Sequence, residues 1–418
     1  MKSIDLLIIN IGELLTIAQT DSEIGNKMDD LGIIYNGAIA IEDGKISDVG
    51  SLDDIIKNYS SKNIIDAKGK VVMPGFVDPH THPVFVNTRE KEFEMRIQGK
   101  TYKEISQTGG GIRSSISDVR AASKETLYKL GMKRIEKMLQ QGTTTIEAKS
   151  GYGLSTESEI KMLEVIRMMG ENSEMDIKAT FLGAHEFPEE YKDNREKYIE
   201  ILMEKMLPAV AERELAEYCD IFCEEHVFTV DESRKILLRA KELGFKIRMH
   251  ADELEPIGGA ELAAEIGAIS ADHLVAISDN GITAMKNANV FPILLPGTTF
   301  SLGLKNYAPA RKMIAAGLPV ALATDFNPGS CNCDSMQTVI SLACLQMKML
   351  PAEAIAASTR NAALSLEIGD KIGTLEKGKQ ADILIMDMPS YRYLPYHLGS
   401  NCVKTVIKNG KIINFNQI

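Results

Sequence analysis

The sequence predicts an α/β protein, a (β/α)₈ TIM barrel carrying a small β-sandwich-like domain built from the N- and C-terminal segments. Three observations point there. Short β-branched or apolar runs alternate with amphipathic helical patterns through the middle of the chain, as in a parallel sheet. There are eight such runs, and reactive side chains collect at their ends, where a barrel of this kind builds its active site. The two ends of the chain share a hairpin pattern that the middle lacks.

At 418 residues the chain exceeds one ordinary domain of roughly 100–200 residues, and a barrel alone takes about 250. Residues 1–70 and 370–418 are therefore read as the two halves of the small β domain, and 71–369 as the barrel inserted between them. GAIAIEDGKISDVG (37–50) and VKTVIKNGKIINF (403–415) each read as strand, Asp-Gly or Asn-Gly turn, strand. KGKQADILIMDM (377–388) adds a further β-rich run.

In the middle the predicted strands are 71–80, 143–150, 177–185, 219–226, 245–250, 269–274, 290–297 and 318–325. Amphipathic helices separate them. SKETLYKLGMKRIEKMLQQG (123–142) has apolar positions at three- and four-residue spacing, and DESRKILLRAKELG (231–244) starts on an aspartate cap and stops at a glycine.

Composition excludes several classes. Hydrophobic residues at 44% and charged residues at 25% suit a globular chain with a full core, not a disordered or collagenous one. Lys and Arg number 47 against 58 Asp and Glu, a formal charge of −11, which argues against nucleic acid or an anionic membrane as partner. No run approaches the ~20 apolar residues of a membrane span, and Asp5 and Glu13 interrupt the apolar N-terminus, so a cytoplasmic protein is expected. Six irregularly placed cysteines form no disulfide framework, and the Cys331/Cys333 pair reads as reduced thiols near a loop.

Six of the seven histidines fall at or just past the end of a predicted strand. His80 and His82 end the first, and because strand side chains alternate, residues i and i+2 share a face and can share a metal. His250 ends the fifth strand, His273 the sixth and Asp325 the eighth. Neutral imidazoles with a carboxylate are a ligand set for Zn²⁺ or Fe²⁺, and positions left open for water make such a site catalytic. The Gly109-Gly110-Gly111 run follows no strand and lacks a phosphate-loop pattern, so it reads as a loop closing over the site.

VMPGFVDPHTH, GGGIRSS (109–115), EAKSGYGL (147–154), LGAHEFP (182–188), MHADEL (249–254), SADH and ATDFNPGS (323–330) carry a resemblance that covers essentially the whole chain. The sequence resembles the metal-dependent amidohydrolase superfamily. The resemblance implies hydrolysis of a cyclic amide C–N bond in a ring bearing a propanoate tail, a step of histidine degradation. It also implies one divalent metal per chain, Zn²⁺ or Fe²⁺, held by His80, His82, His250 and Asp325, with Asp325 taking the proton from water and passing it to the leaving nitrogen.

His273 is a candidate for hydrogen-bonding the attacking water or the carbonyl oxygen, and Glu253 for contacting a ring nitrogen of the substrate and helping proton transfer. Arg89 is the candidate for the tail carboxylate, with Arg113 and Tyr152 as helpers, and His185 for the ring or carbonyl. Asn327, Gly329 and Ser330 would line the opposite wall. Binuclear members of the superfamily bridge two metals with a carbamylated lysine at the end of the fourth strand. Here that strand ends Cys223-Glu224-Glu225-His226, so one metal is expected, with Lys149 on the second strand structural or supporting the ligands. His226 is a candidate supporting residue, and His397 a bystander. The expected partner is a small anionic substrate, and a homodimer is the expected assembly. The rival reading is a deaminase of a heterocyclic base, which would not need a tail-binding arginine; a second rival is a barrel that has lost its chemistry.

Overall fold

The computed structural model describes residues 1–18, 25, 27–100, 104 and 110–415. Eight parallel strands run in chain order: β1 Phe76–Thr81, β2 Thr143–Lys149, β3 Asp176–Ala184, β4 Tyr218–Cys223, β5 Lys246–Ala251, β6 Ser270–His273, β7 Phe291–Leu294 and β8 Ala321–Leu322. Each pairs with the next. The ends meet where Asp325 N donates to His80 O (3.1 Å) and His82 N to Phe326 O (2.8 Å), closing the barrel at its C-terminal rim. This contact brings the ends of β1 and β8 side by side.

The connections follow the sequence pattern. Helix Lys124–Gln140 is capped by Ser123, whose Oγ accepts from Thr126 N at 3.2 Å. Helix Val230–Glu242 differs from expectation: its cap is Thr229, not Asp231, in a reciprocal box with Glu232 that satisfies two end N–H groups at once. At the lower end of the barrel, Tyr218 Oη donates to Leu366 O and Arg248 Nη1 to Ser365 O, both at 2.8 Å, tying the strands to the segment around helix Arg360–Ser365.

The run 71–80 forms two strands. Val71–Pro74 pairs with Ile383–Met386 and with Leu6–Leu15 in a second sheet, and the barrel strand begins only at Phe76. Gly75 marks the break, since a Cβ there would lie 2.3 Å from Thr144 Oγ1. The second sheet joins Leu6–Leu15, Ile33–Glu42, Lys45–Ser51, Ile64–Asp66, Val71–Pro74, Ile383–Met386, Val403–Lys408 and Lys411–Ile412. Both hairpin turns have the positive φ pair of a type I′ turn, 51° and 75° at Asp43-Gly44 and 49° and 73° at Asn409-Gly410. Alternation sorts the faces. Val72, Ile383 and Ile385 join Leu6, Ile8 and Ile39 in a core of the sheet's own, while Val71, Met73, Leu384 and Met386 pack into the barrel core.

Candidate active site

The C-terminal rim gathers His80, His82, His250, His273 and Asp325, each at most 4% exposed. His80, His82 and His250 each offer a ring nitrogen within 4.8 Å of the others'. The Nε2 atoms of His80 and His82 stand 3.3 Å apart, and Asp325 Oδ1 lies 3.5 Å from the first and 3.6 Å from the second. Ligands held at about 2.0–2.1 Å around one tetrahedral ion stand about 3.3–3.4 Å from one another, so this spacing fits a single divalent cation.

The imidazoles are oriented from behind. His80 Nδ1 is 2.7 Å from Asp272 Oδ2, and His250 Nδ1 is 3.1 Å from Asp220 Oδ1. A carboxylate on Nδ1 places the proton there and leaves the Nε2 lone pair free for a metal. Burial holds His80 and His82 well below the usual histidine range, which keeps them neutral. Burial also pushes His250 down, but Asp220 beside it outweighs this and leaves it raised.

Asp325 has φ 51° and His273 φ 73°, left-handed conformations that cost non-glycine residues of order 1–3 kcal/mol each. Thr298 Oγ1 donates to Asp325 Oδ2 at 2.6 Å, fixing the carboxylate so that Oδ1 faces the histidines. Burial raises the Asp325 carboxyl to about 6 and that of Glu253 to about 8, the second helped by the charge of Asp325. Glu253 Oε1 lies 3.5 Å from His273 Nδ1. Its loop is pinned by Asp252, which accepts from Gly258 N, Gly259 N and Ala260 N, and by Glu224, which accepts from Leu254 N at 2.9 Å.

The other candidates separate into those that join this cluster and those that do not. His185 stacks on His82 with ring centroids 5.3 Å apart and 12° between planes, and Tyr152 meets His185 edge-on at 5.3 Å. Gly151 O lies 2.9 Å from His185 Nδ1, and burial holds the imidazole down at about 3. Arg89 has Nε and Nη1 buried without a hydrogen-bond partner, and its charge reaches both Tyr152 and His185. Gly329 lies against it: a Cβ at Gly329 would fall 1.3 Å from Arg89 Nη2. Arg89, Gly329 and Ser330 together line a cavity of about 460 Å³.

Asn327 does different work from the wall expected of it. Its Oδ1 accepts from Gly329 N and Ser330 N, both at 2.8 Å, and its Nδ2 donates to Asp325 O and Ser330 Oγ, so the side chain shapes the loop after the carboxylate.

Arg113 is not brought to the cluster. Its side chain is 52% exposed and pairs with Glu189 at 2.7 Å. His226 is exposed in a groove beside Arg113, because β4 ends at Cys223, three residues earlier than the sequence pattern implies. His397 is exposed and bonded to the Tyr393 hydroxyl. Of the glycine run, Gly109 lies outside the described residues, and Gly111 N donates to Glu92 Oε1 at 2.9 Å. A groove of about 820 Å³ lies beside the N-terminal ends of β3 to β5, around Asp176, Glu217 and Phe245, away from the histidines.

Sequence reasoning missed Asp220, Asp272, Thr298 and Phe222. The Phe222 ring stands 5.7 Å from that of His250 and 6.3 Å from that of His185. The two aspartates had a signal: a charged residue inside a strand buried on both faces needs a buried partner.

A closed barrel with its histidines and a carboxylate at the strand ends is the arrangement of a metal-dependent hydrolase, and the model described as "Amidohydrolase family" matches residues 71–413. An imidazolonepropionase of Alkaliphilus oremlandii (strain OhILAs) is 48% identical over 98% of each chain, and one of Clostridium tetani (strain Massachusetts / E88) is 48% identical over 99% of each. The chain belongs to the imidazolonepropionase family of amidohydrolases. Among solved structures, a 5-methylcytosine deaminase from Klebsiella pneumoniae matches with a TM-score of 0.74 at 18% identity, covering 99% of this chain and 98% of that one. E. coli guanine deaminase matches at 0.72 and 15%, covering 98% and 99%. At these identities the likeness is one of fold.

Proposed function

We propose that the chain hydrolyses the cyclic amide of 4-imidazolone-5-propanoate to N-formimidoyl-L-glutamate, using one divalent ion per chain, Zn²⁺ or Fe²⁺, at His80, His82, His250 and Asp325. The observation that carries this is Arg89, whose buried Nε and Nη1 make no hydrogen bond within the chain, with Glu92 Oε2 3.6 Å from Nε, and whose charge reaches Tyr152 and His185 beside the histidine cluster. A buried guanidinium with N–H groups left unbonded matches a carboxylate. The neutral base of a deaminase offers nothing for it.

The ion supplies Lewis acidity and brings the pKa of water toward about 7. The chain's residues do the rest. Arg89 holds the propanoate, and Tyr152, His185 and Phe222 bound the ring. Asp325, steadied by Thr298, accepts a proton from the attacking water as oxygen bonds to the ring carbonyl carbon. His273 and the Glu253 carboxyl beside it hydrogen-bond the forming tetrahedral oxygen or the ring nitrogen. When the C–N bond breaks, Asp325 returns the proton to the leaving nitrogen, so one water is consumed and the ring opens to a carboxylate and a formimidoyl group.

Arg89→Met tests the assignment of the tail. Hydrogen bonds to a charged group are worth about 1.5–3 kcal/mol, so KM should rise roughly ten- to a hundredfold with the metal content unchanged. Wild type should prefer the tail-bearing ring over a tail-less imidazolone by a similar factor, and the variant should lose that preference; an unchanged KM would remove Arg89 from the role. Gly329→Ala should act the same way by displacing the guanidinium, and steady-state kinetics on it would show a raised KM at near-normal kcat.

Removing the ion should lower thermal stability. Binding at 1,000 times Kd stabilises by about 4.1 kcal/mol, so chelator-treated wild type should melt measurably lower and recover on adding Zn²⁺. Equal melting temperatures with and without the ion would argue against this site.

A further inference from the structure

Behind the ligand cluster lies a buried cation for which the reaction has no direct use. Lys149, at the end of β2, is fully buried. Its Nζ donates to Glu147 Oε1 at 2.8 Å and to Asp220 Oδ2 at 2.6 Å, and stands 3.6 Å from Asp272 Oδ2. Asp220 and Asp272 are the two carboxylates that hold the Nδ1 atoms of His250 and His80. One ammonium on β2 thus faces an aspartate on β4 and another on β6, and these orient imidazoles from β5 and β1.

We propose that Lys149 is a positioning residue that sets the orientation of both metal-binding imidazoles through Asp220 and Asp272. The inference rests on the metal reading of the site. Asp220 shows how the device works. Its Oδ2 accepts from Lys149 Nζ and its Oδ1 from His250 N (3.2 Å) and Ile221 N (2.7 Å), while His250 Nδ1 lies 3.1 Å from both oxygens, so turning the carboxylate plane would break several bonds. Asp272 is fixed likewise, with Oδ1 accepting from Ser270 Oγ at 2.8 Å and Oδ2 between His80 and Lys149.

A role in stability alone is a poorer account of this arrangement. A buried ion pair seldom adds net stability over a well-packed apolar one. A side chain of similar length without the charge would fill the same space, but it would take from Asp220 Oδ2 its 2.6 Å donor and from Asp272 Oδ2 its neighbouring cation, loosening both carboxylates. Outer partners of metal-bound histidines typically account for 10- to 100-fold in metal affinity.

The test is Zn²⁺ affinity by chelator competition on the purified full-length chain, with the visible spectrum of the Co²⁺-substituted protein as a second readout of ligand geometry. Lys149→Met should weaken Zn²⁺ binding 10- to 100-fold and change the Co²⁺ spectrum. If that variant does not fold, Asp220→Asn, which keeps the side-chain shape and spoils the same hydrogen-bond path, should shift both readouts in the same direction. A folded variant with wild-type Zn²⁺ affinity and Co²⁺ spectrum, even one with a lower melting temperature, would overturn the inference and make Lys149 a structural residue. Wild type that binds no ion at this site would instead overturn the metal reading itself.

Discussion

Asp325→Asn is expected to lower kcat by a factor of about 10²–10⁴, the usual contribution of a positioned general acid or base, while the three histidines retain the ion. The structure gives the reason. Thr298 Oγ1 fixes Oδ2 at 2.6 Å, so Oδ1 alone faces His80 and His82 and meets the incoming water. An asparagine keeps the shape and cannot take the proton. Because Asp325 acts both on entry of water and on departure of the nitrogen, kcat and kcat/KM should fall together, with KM little changed. Near-normal turnover would exclude it as the base.

His80→Ala is expected to abolish stoichiometric metal binding and to reduce activity to background. Its imidazole sits between the other donors, with Nε2 3.3 Å from His82 and 3.5 Å from Asp325. The substitution also strips Asp272 Oδ2 of its 2.7 Å partner, leaving a fully buried carboxylate short of a hydrogen bond, which costs further stability. Metal analysis after dialysis, alongside a melting curve, checks both parts. Retention of one ion per chain with activity would show that the ligands lie elsewhere.

The barrel was readable because its strands are short apolar runs with helical periodicity between them, and period-two alternation alone puts His80 and His82 on one face. Where β1 begins was not readable. Val71–Pro74 and Phe76–Thr81 form one continuous apolar run, and only pairing with Ile383–Met386 assigns the first part to the other sheet. Arg113 does not reach the histidine cluster because Glu189, remote enough in sequence to leave no pattern, pairs with its guanidinium at the surface. The carboxylates behind the histidines were hidden differently. Asp220 sits within CDIFCEEH and Asp272 within SADH, beside residues that draw more notice, and the link to Lys149 spans 71 residues. Asn327 shows the converse: the loop it was assigned to is at the site, but its own amide is spent holding that loop together.

Hydrolysis of a tail-bearing cyclic amide, with a single divalent ion held on the barrel rim, is the proposed activity. It is met most directly by turnover of freshly generated 4-imidazolone-5-propanoate on protein of known metal content, with cytosine, guanine and adenosine run alongside. Ring opening to N-formimidoyl-L-glutamate with about one ion per chain, and no ammonia released from the bases, is the predicted result. Ammonia release from a base with the imidazolone untouched would contradict it, leaving the barrel and its histidines in place but removing Arg89 from its assigned role.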